Sequence, residues 1–216
     1  MSALTSTLRE QLLTFDADKF VGTVKKLIAE GVSPIEVVNA LTQVLKEIGK
    51  KFESGELFLV HLVVAGDLAR RTTTEVLEPL LKKSGGERKA LGRVVIGTVA
   101  GDIHDIGKNI VAMLLFTAGF EVYDLGKDVS AEEFVKKTKE LNPDIVAMSA
   151  LLTTTLPAQR EVVQALNKSG LRDKVKILVG GAPTTGEWAK EIGADGYGAD
   201  AIEAVKVAKK LLGVRD

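Results

Sequence analysis

Apolar residues return at intervals of three and four through the first part of the chain, and this periodicity predicts helix from residue 1 to about residue 83. Leu4, Leu8 and Leu12 form one stripe, and Phe20, Val24, Leu27 and Ile28 form a second. Ser33-Pro34-Ile35-Glu36 combines a capping box with proline at the first helical position, so a new helix starts there. Its expected buried stripe is Val38, Leu41, Leu45, Ile48 and Phe52. Ser54-Gly55 breaks the pattern. A last helix is expected from about Glu56 to Lys83, with Leu59, Leu62, Val63, Leu68, Val76, Leu77 and Leu80 among its residues. The segment predicts a small four-helix bundle.

Lys83-Ser84-Gly85-Gly86-Glu87-Arg88-Lys89 is polar and glycine-bearing, which suits a linker between units with separate cores, here 1–88 and 89–216. Beyond it strand and helix patterns alternate. Strands are expected at Arg93 to Val99, Glu121 to Asp124, Asp144 to Ser149, Val175 to Val179 and Asp195 to Tyr197. Between and after them lie helices at Lys108 to Ala118, Ala131 to Leu141 (capped by Ser130), Leu156 to Ser169, Thr185 to Ile192 and Ala201 to Leu212. Such alternation implies a doubly wound, Rossmann-like, five-stranded parallel sheet with helices on both faces.

The formal charge balances, with 29 basic against 29 acidic side chains, so no footprint for nucleic acid is visible. The start of the chain lacks the charged-then-apolar signature of a secretory signal, and the apolar run from Leu57 to Ala65 is interrupted by His61 and too short to span a bilayer. A cytoplasmic protein is the expectation. Zero cysteines exclude disulfides, thiolate metal sites and cysteine nucleophiles. Any metal must then be held by histidine, by carboxylate or by a cofactor that brings it.

In a sheet of this kind the loops leaving the C-terminal strand ends line one crevice, where ligands bind. They are 100–107, 150–155, 180–185 and 198–200. The first, Gly101-Asp102-Ile103-His104-Asp105-Ile106-Gly107, holds one of only two histidines in the chain, two residues from a carboxylate. A histidine that ligates a metal usually gives its other ring N–H to a carboxylate or carbonyl, which fixes the tautomer; Asp102 is placed for that. The loop carries no G-x-G-x-x-G, and it has one residue too many, with Asn109 where a P-loop needs Ser or Thr, so a nucleoside triphosphate is disfavoured. One metal-class ligand, small side chains and the hydroxyls of Ser149, Thr153, Thr154 and Thr155 suit a large cofactor that brings its own metal and takes one axial ligand from protein.

Asp102-x-His104-x-x-Gly107, Ser149-x-Leu151 and Gly180-Gly181, each following a strand, resemble the cobalamin-binding fold shared by methionine synthase and the corrinoid proteins of anaerobic methyltransferase systems. Phe52-Glu53-Ser54-Gly55-Glu56-Leu57-Phe58-Leu59 is similar to that family's helical cap, so the likeness covers nearly the whole chain. The resemblance implies a cobalamin or related corrinoid bound with its benzimidazole displaced, His104 as lower axial ligand of cobalt, and Asp102 and Thr155 as a proton relay behind it. Methionine synthase has serine at the position of Thr155. It further implies contacts from Gly101, Ile103, Asp105, Ile106 and Gly107, from Leu151 and Thr153, and from Tyr197, Gly198 and Ala199. Ser149 would meet the displaced base, while Gly180, Gly181 and Ala182 would lie along the nucleotide tail. Phe52 and Leu59 would cover the opposite face; Val60 stands where the family often has proline.

The function so implied is a methyl carrier cycling between Co(I) and methyl-Co(III). The partners implied are a substrate-specific methyltransferase, a second methyltransferase acting on tetrahydrofolate or coenzyme M, and a reductive activator, with no nucleic acid and no membrane. The donor stays open among methanol, methylamines, quaternary amines and methoxylated aromatics, because the partner enzyme would choose it. A radical-mutase cobalamin subunit and a cobalamin-based sensory regulator are the competing readings. Plainer roles compete at single residues: Asp102 and the threonine run as helix caps, Phe52 and Leu59 as bundle core, His61 as a packed or solvated side chain, and Asp105 and Lys108 as a helix start and a solvated face.

Overall fold

The computed structural model describes residues 3–77, 79–81 and 90–214. It divides into two compact units, a helical one and an α/β one that starts at Ala90. The expected linker and the end of the fourth helix at Lys83 lie outside the described residues.

In the helical unit α1 (Ala3–Leu12), α2 (Ala17–Ala29), α3 (Pro34–Glu53) and α4 (Leu59–Thr72) pack as a bundle, α3 against both α1 and α4. The Ser33 hydroxyl accepts from Glu36 N–H while the Glu36 carboxylate accepts from Ser33 N–H, completing the expected capping box. Val38, Leu41, Leu45 and Ile48 are buried, and Phe52 is half-buried. Each side chain buried in this way contributes roughly 1.5–3 kcal/mol against exposure.

The fourth helix begins at Leu59 rather than Glu56. The turn after α3 continues through Leu57, and the Phe58 N–H is taken by His61 Nδ1 at 3.0 Å, so a histidine in the first turn does what a capping carboxylate usually does. Its ring lies 5.5 Å from that of Phe15 and 5.8 Å from that of Phe58. His61 is thus packed and bonded. Leu59 is exposed rather than core, as is Val63. Past Thr72 the helix widens into a π turn over Thr73–Leu77, which keeps Thr73 and Leu77 buried.

The α/β unit runs β1 (Arg93–Thr98), α5 (Ile106–Ala118), β2 (Glu121–Asp124), α6 (Ala131–Leu141), β3 (Ile145–Ser149), α7 (Leu156–Lys168), β4 (Lys176–Gly180), α8 (Gly186–Ile192), β5 (Gly196–Gly198) and α9 (Ala201–Leu211). All neighbouring strands pair in parallel, in the order β2-β1-β3-β4-β5. The order reverses between β1 and β3, which opens a crevice at the C-terminal ends of those strands. Val95, Val146, Met148, Ile177 and Val179 pack into one core with side chains of α6, α7 and α8, including Phe134, Val162, Leu166 and Ile192. Alternate strand residues point to the opposite face.

Two glycines set how closely the C-terminal ends approach. Gly181, at φ +117°, turns directly over β3, where a Cβ would fall 1.8 Å from the Ala150 carbonyl oxygen. A Cβ on Gly198 would lie 2.8 Å from Ala204 of α9. No helix among the described residues is long and apolar enough to cross a membrane.

Gly181→Ala should therefore destabilise the α/β unit by more than about 2 kcal/mol, from positive φ and collision together. Urea unfolding followed by circular dichroism measures it. A wild-type midpoint would show that the β4 end can move away from Ala150 without cost.

Candidate functional site

After β1 the chain makes a tight turn that drives an acid inward. Gly101 adopts φ +79° and donates its N–H to Asp128 Oδ1 at 2.7 Å. Asp102 N–H goes to the Val99 carbonyl at 3.2 Å, and the Asp102 carbonyl accepts from Asp128 N–H at 3.0 Å. The Asp102 side chain ends up fully buried, 0% exposed.

Four donors meet that carboxylate. Oδ1 accepts from the His104 backbone N–H at 3.0 Å and from the His104 ring at 2.9 Å; Oδ2 accepts from Leu151 N–H at 2.7 Å and from the Thr155 hydroxyl at 2.7 Å. Burial opposes ionisation of Asp102. The Leu151 N–H, the His104 N–H, the Thr155 hydroxyl and the His104 ring together outweigh it and hold the pKa well below the usual carboxylate range. An ionised carboxylate only accepts, so His104 Nδ1 carries the hydrogen, and in the neutral ring Nε2 keeps its lone pair. The His104 side chain is 47% exposed. One imidazole nitrogen is tied to the interior and the other is free to bind.

Thr155 stands at the N-cap of α7 without capping it. Its hydroxyl has two acceptors in reach, Asp102 Oδ2 at 2.7 Å and the Leu152 carbonyl at 2.9 Å. Asp102 likewise makes no bond to the first turn of α5; the Asp105 carbonyl accepts from Asn109 N–H at 2.8 Å there. The helix-cap readings of Asp102 and Thr155 thus give way to a shared hydrogen-bond chain.

Beside His104 lies a cleft of about 600 Å³ between α5 and α9, over the sheet face that carries Ile96, Ala147 and Leu178. Of the residues singled out from sequence, Ile103, His104, Asp105, Ile106, Gly107, Ser149, Leu151, Gly180, Gly181, Ala182, Gly198 and Ala199 line it. Gly101, Asp102 and Thr155 stand behind that wall. Thr153 is exposed and away from the lining. Tyr197 packs against the core on the other face, because on a strand it must point opposite to its neighbours Gly196 and Gly198. Phe52 and Leu59 belong to the helical unit.

Sequence patterning missed several residues. Lys108 is not on a solvated face; it is 2% exposed and lines the cleft, its ammonium on Asp124 and Asn109. It lies four residues past His104 on the first turn of α5, a spacing that only pairing with β2 makes meaningful. Gln159, fully buried, donates to the Gly180 carbonyl at 3.1 Å and accepts from the Trp188 ring N–H at 2.9 Å, holding the β4 end from beneath. Asp128, in the left-handed region at φ 54°, clamps the turn before Asp102. A polar residue inside α7 and an acid in a surface loop carry no periodic signal that could have singled them out.

A model described as a B12 binding domain matches residues 92–206, and a second with the same description matches residues 4–76. The chain belongs to the B12-binding corrinoid-protein family. It is 46% identical over 210 residues to dimethylamine corrinoid protein 1 of Methanosarcina mazei, covering 97% of this chain and 96% of that one. Identity to trimethylamine corrinoid protein 1 of Methanosarcina acetivorans is 44% over 205 residues, 94% of each chain. Among solved structures it is similar to the methanol:cobalamin methyltransferase complex MtaBC of Methanosarcina barkeri, with a TM-score of 0.86, 30% identity and coverage of 97% of this chain and 80% of that one. It is also similar to a cobalamin-binding protein of Desulfitobacterium hafniense, with a TM-score of 0.67, 33% identity and coverage of 96% and 98%. The donor set fits a corrinoid of that family: a single outward-facing imidazole nitrogen beside an apolar, glycine-walled cleft.

The depressed Asp102 pKa fixes a pH dependence. Its contribution to stability is complete above the ordinary aspartate range, near pH 4, and is lost as pH falls from there towards the native-state pKa. Asp102→Asn should cost about 3 kcal/mol at pH 7, since an amide cannot accept all four donors. It should also flatten the acid limb of the stability profile. Urea midpoints at pH 7 and pH 3 test both; an unchanged difference between the two would remove Asp102 from the account.

Proposed function

We propose that this protein is the methyl carrier of a methylamine methyltransferase system, holding a corrinoid with its own base displaced and His104 as the lower axial ligand. The bound corrinoid supplies a cobalt centre that takes up and gives up a methyl group. The chain's own residues decide when the lower position is filled. The observation that carries this reading is the hydrogen-bond chain His104–Asp102–Thr155, with its free Nε2 beside the α5–α9 cleft.

Asp102 holds the ring as the Nδ1–H tautomer, which makes Nε2 the stronger donor to a metal. With Nδ1–H given to Asp102, the lone pair at Nε2 is what His104 would offer the cobalt of a bound corrinoid. Thr155 can turn its hydroxyl from Asp102 to the Leu152 carbonyl, releasing one carboxylate lone pair with no heavy atom moved. The cleft supports the base-displaced form, because Ala147, Leu178, Gly180, Gly198 and Ala204 leave an aliphatic slot open to a flat heterocycle.

A methylated amine as the ultimate donor is supported by the 44% and 46% identity to proteins named for trimethylamine and dimethylamine, against 30% for the methanol complex. The direct partners are then a methyltransferase specific for that amine, a second methyltransferase that passes the methyl group on to tetrahydrofolate or coenzyme M, and a reductive activator.

Reconstitution with hydroxocobalamin should give a red protein with close to one cobalt per chain. The EPR spectrum of its cobalt(II) form should show hyperfine splitting from an imidazole nitrogen, lost in His104→Ala, and benzimidazole labelled with ¹⁵N should leave it unchanged. Splitting that follows the benzimidazole label would overturn the ligand assignment. Methyl transfer from a methylated amine, and none from methanol, with the matching partner enzymes tests the donor.

A further inference from the structure

The ring of His104 is held by Asp102, but the backbone that carries it is held from the other side. Lys108 Nζ lies 2.6 and 2.5 Å from the two oxygens of Asp124 and 2.6 Å from Asn109 Oδ1. Asp124 Oδ1 also accepts from Gly126 N–H at 2.8 Å, and the Gly126 carbonyl accepts from Thr98 N–H at 3.0 Å. The hydroxyl of Thr98, itself fully buried, donates to the His104 carbonyl at 3.1 Å. Along the chain four residues then lead back to Lys108. The circuit is closed.

A lysine here is otherwise unfavourable. It places a cation in the first turn of α5, where the helix dipole prefers an anion, and it takes an ammonium out of water. All three of its donors are used on protein, so it has none to spare for a ligand. From this geometry we infer that Lys108 is a positioning residue: its pairing with Asp124 fixes the loop that presents His104, so that Nε2 would meet a bound metal in one orientation. The inference rests on His104 being that ligand.

Lys108→Met removes the buried charge and leaves Asp124 half in water, so the variant should still fold, with a lowered melting temperature. The fraction of bound corrinoid carrying imidazole, read from nitrogen hyperfine splitting in the cobalt(II) EPR spectrum, should fall roughly tenfold relative to the unligated form, the low end for loss of an outer partner of a metal-bound histidine. Lys108→Arg, which can still pair with Asp124, should recover most of it. In the cofactor-free protein, ¹⁵N shifts of the His104 ring should report one Nδ1–H tautomer, and Lys108→Met should move them towards an average of both. Lys108→Gln serves in both measurements if the methionine variant does not fold.

A merely structural lysine would lower the melting temperature and total corrinoid uptake while leaving the ligated fraction and the ring shifts at wild-type values, and that result would overturn the inference. If the wild-type protein binds corrinoid without His104, the ligand assignment fails instead. The cofactor-free shifts then still decide whether Lys108 holds the ring.

Discussion

A single buried carboxylate governs the arrangement of the site. Asp102 gathers donors from three places: its own loop, the backbone after β3 and the residue that opens α7. The Leu151 and His104 backbone N–H groups would be costly to bury without an acceptor, and an ionised carboxylate could not be buried without several donors. The loops after β1 and β3 are therefore bound to one another through one side chain. Orientation of His104 is a by-product of that mutual need, because its ring occupies the last acceptor direction on Oδ1.

The sheet order makes this possible. With β2 on one side of β1 and β3 on the other, the chain leaving β1 and the chain leaving β3 emerge side by side and diverge to opposite faces, α5 above and α7 below. Asp102 sits in the gap. Gly181 and Gly198 then keep the ends of β4 and β5 free of side chains, so that the cleft continues from the histidine along the sheet. Polar support is hidden beneath: Gln159 saturates the Gly180 carbonyl, which also accepts from Ala150 N–H and the Thr184 hydroxyl. What remains exposed in the cleft is mainly apolar, with His104 at its mouth.

The helical unit shows a different economy. Its core is an ordinary bundle interior, but the start of α4 turns large apolar side chains outward, with Phe58 72% exposed and Val60 61%. His61 stabilises that start by accepting the Phe58 N–H and packing its ring, tilted, near those of Phe15 and Phe58.

Local pattern was enough for the elements and for the chemistry's address. Helical spacing, the Ser33 capping box and the β-branched runs depend on neighbours within a few residues, so four helices, five strands and their parallel alternation could be read directly, as could the convergence of 100–107, 150–155 and 180–185 at one edge. The pairing of His104 with Asp102 was legible for the same reason, two residues apart in one loop. What the chain alone could not show were contacts whose partners are far apart in sequence: Lys108 looked like a solvated first-turn residue until β2 supplied Asp124, Gln159 carried no signal until α7 brought it under the Gly180 carbonyl, and Tyr197, implied by resemblance as a cofactor contact, is turned by strand alternation to the opposite core. Leu59, equally periodic with Leu62, proved exposed because the helix begins only at that residue. Periodicity tells which face of an element is apolar; only assembled elements determine which polar groups are sealed away from water, and burial is what turns a lysine or a carboxylate from a soluble side chain into a fixed one.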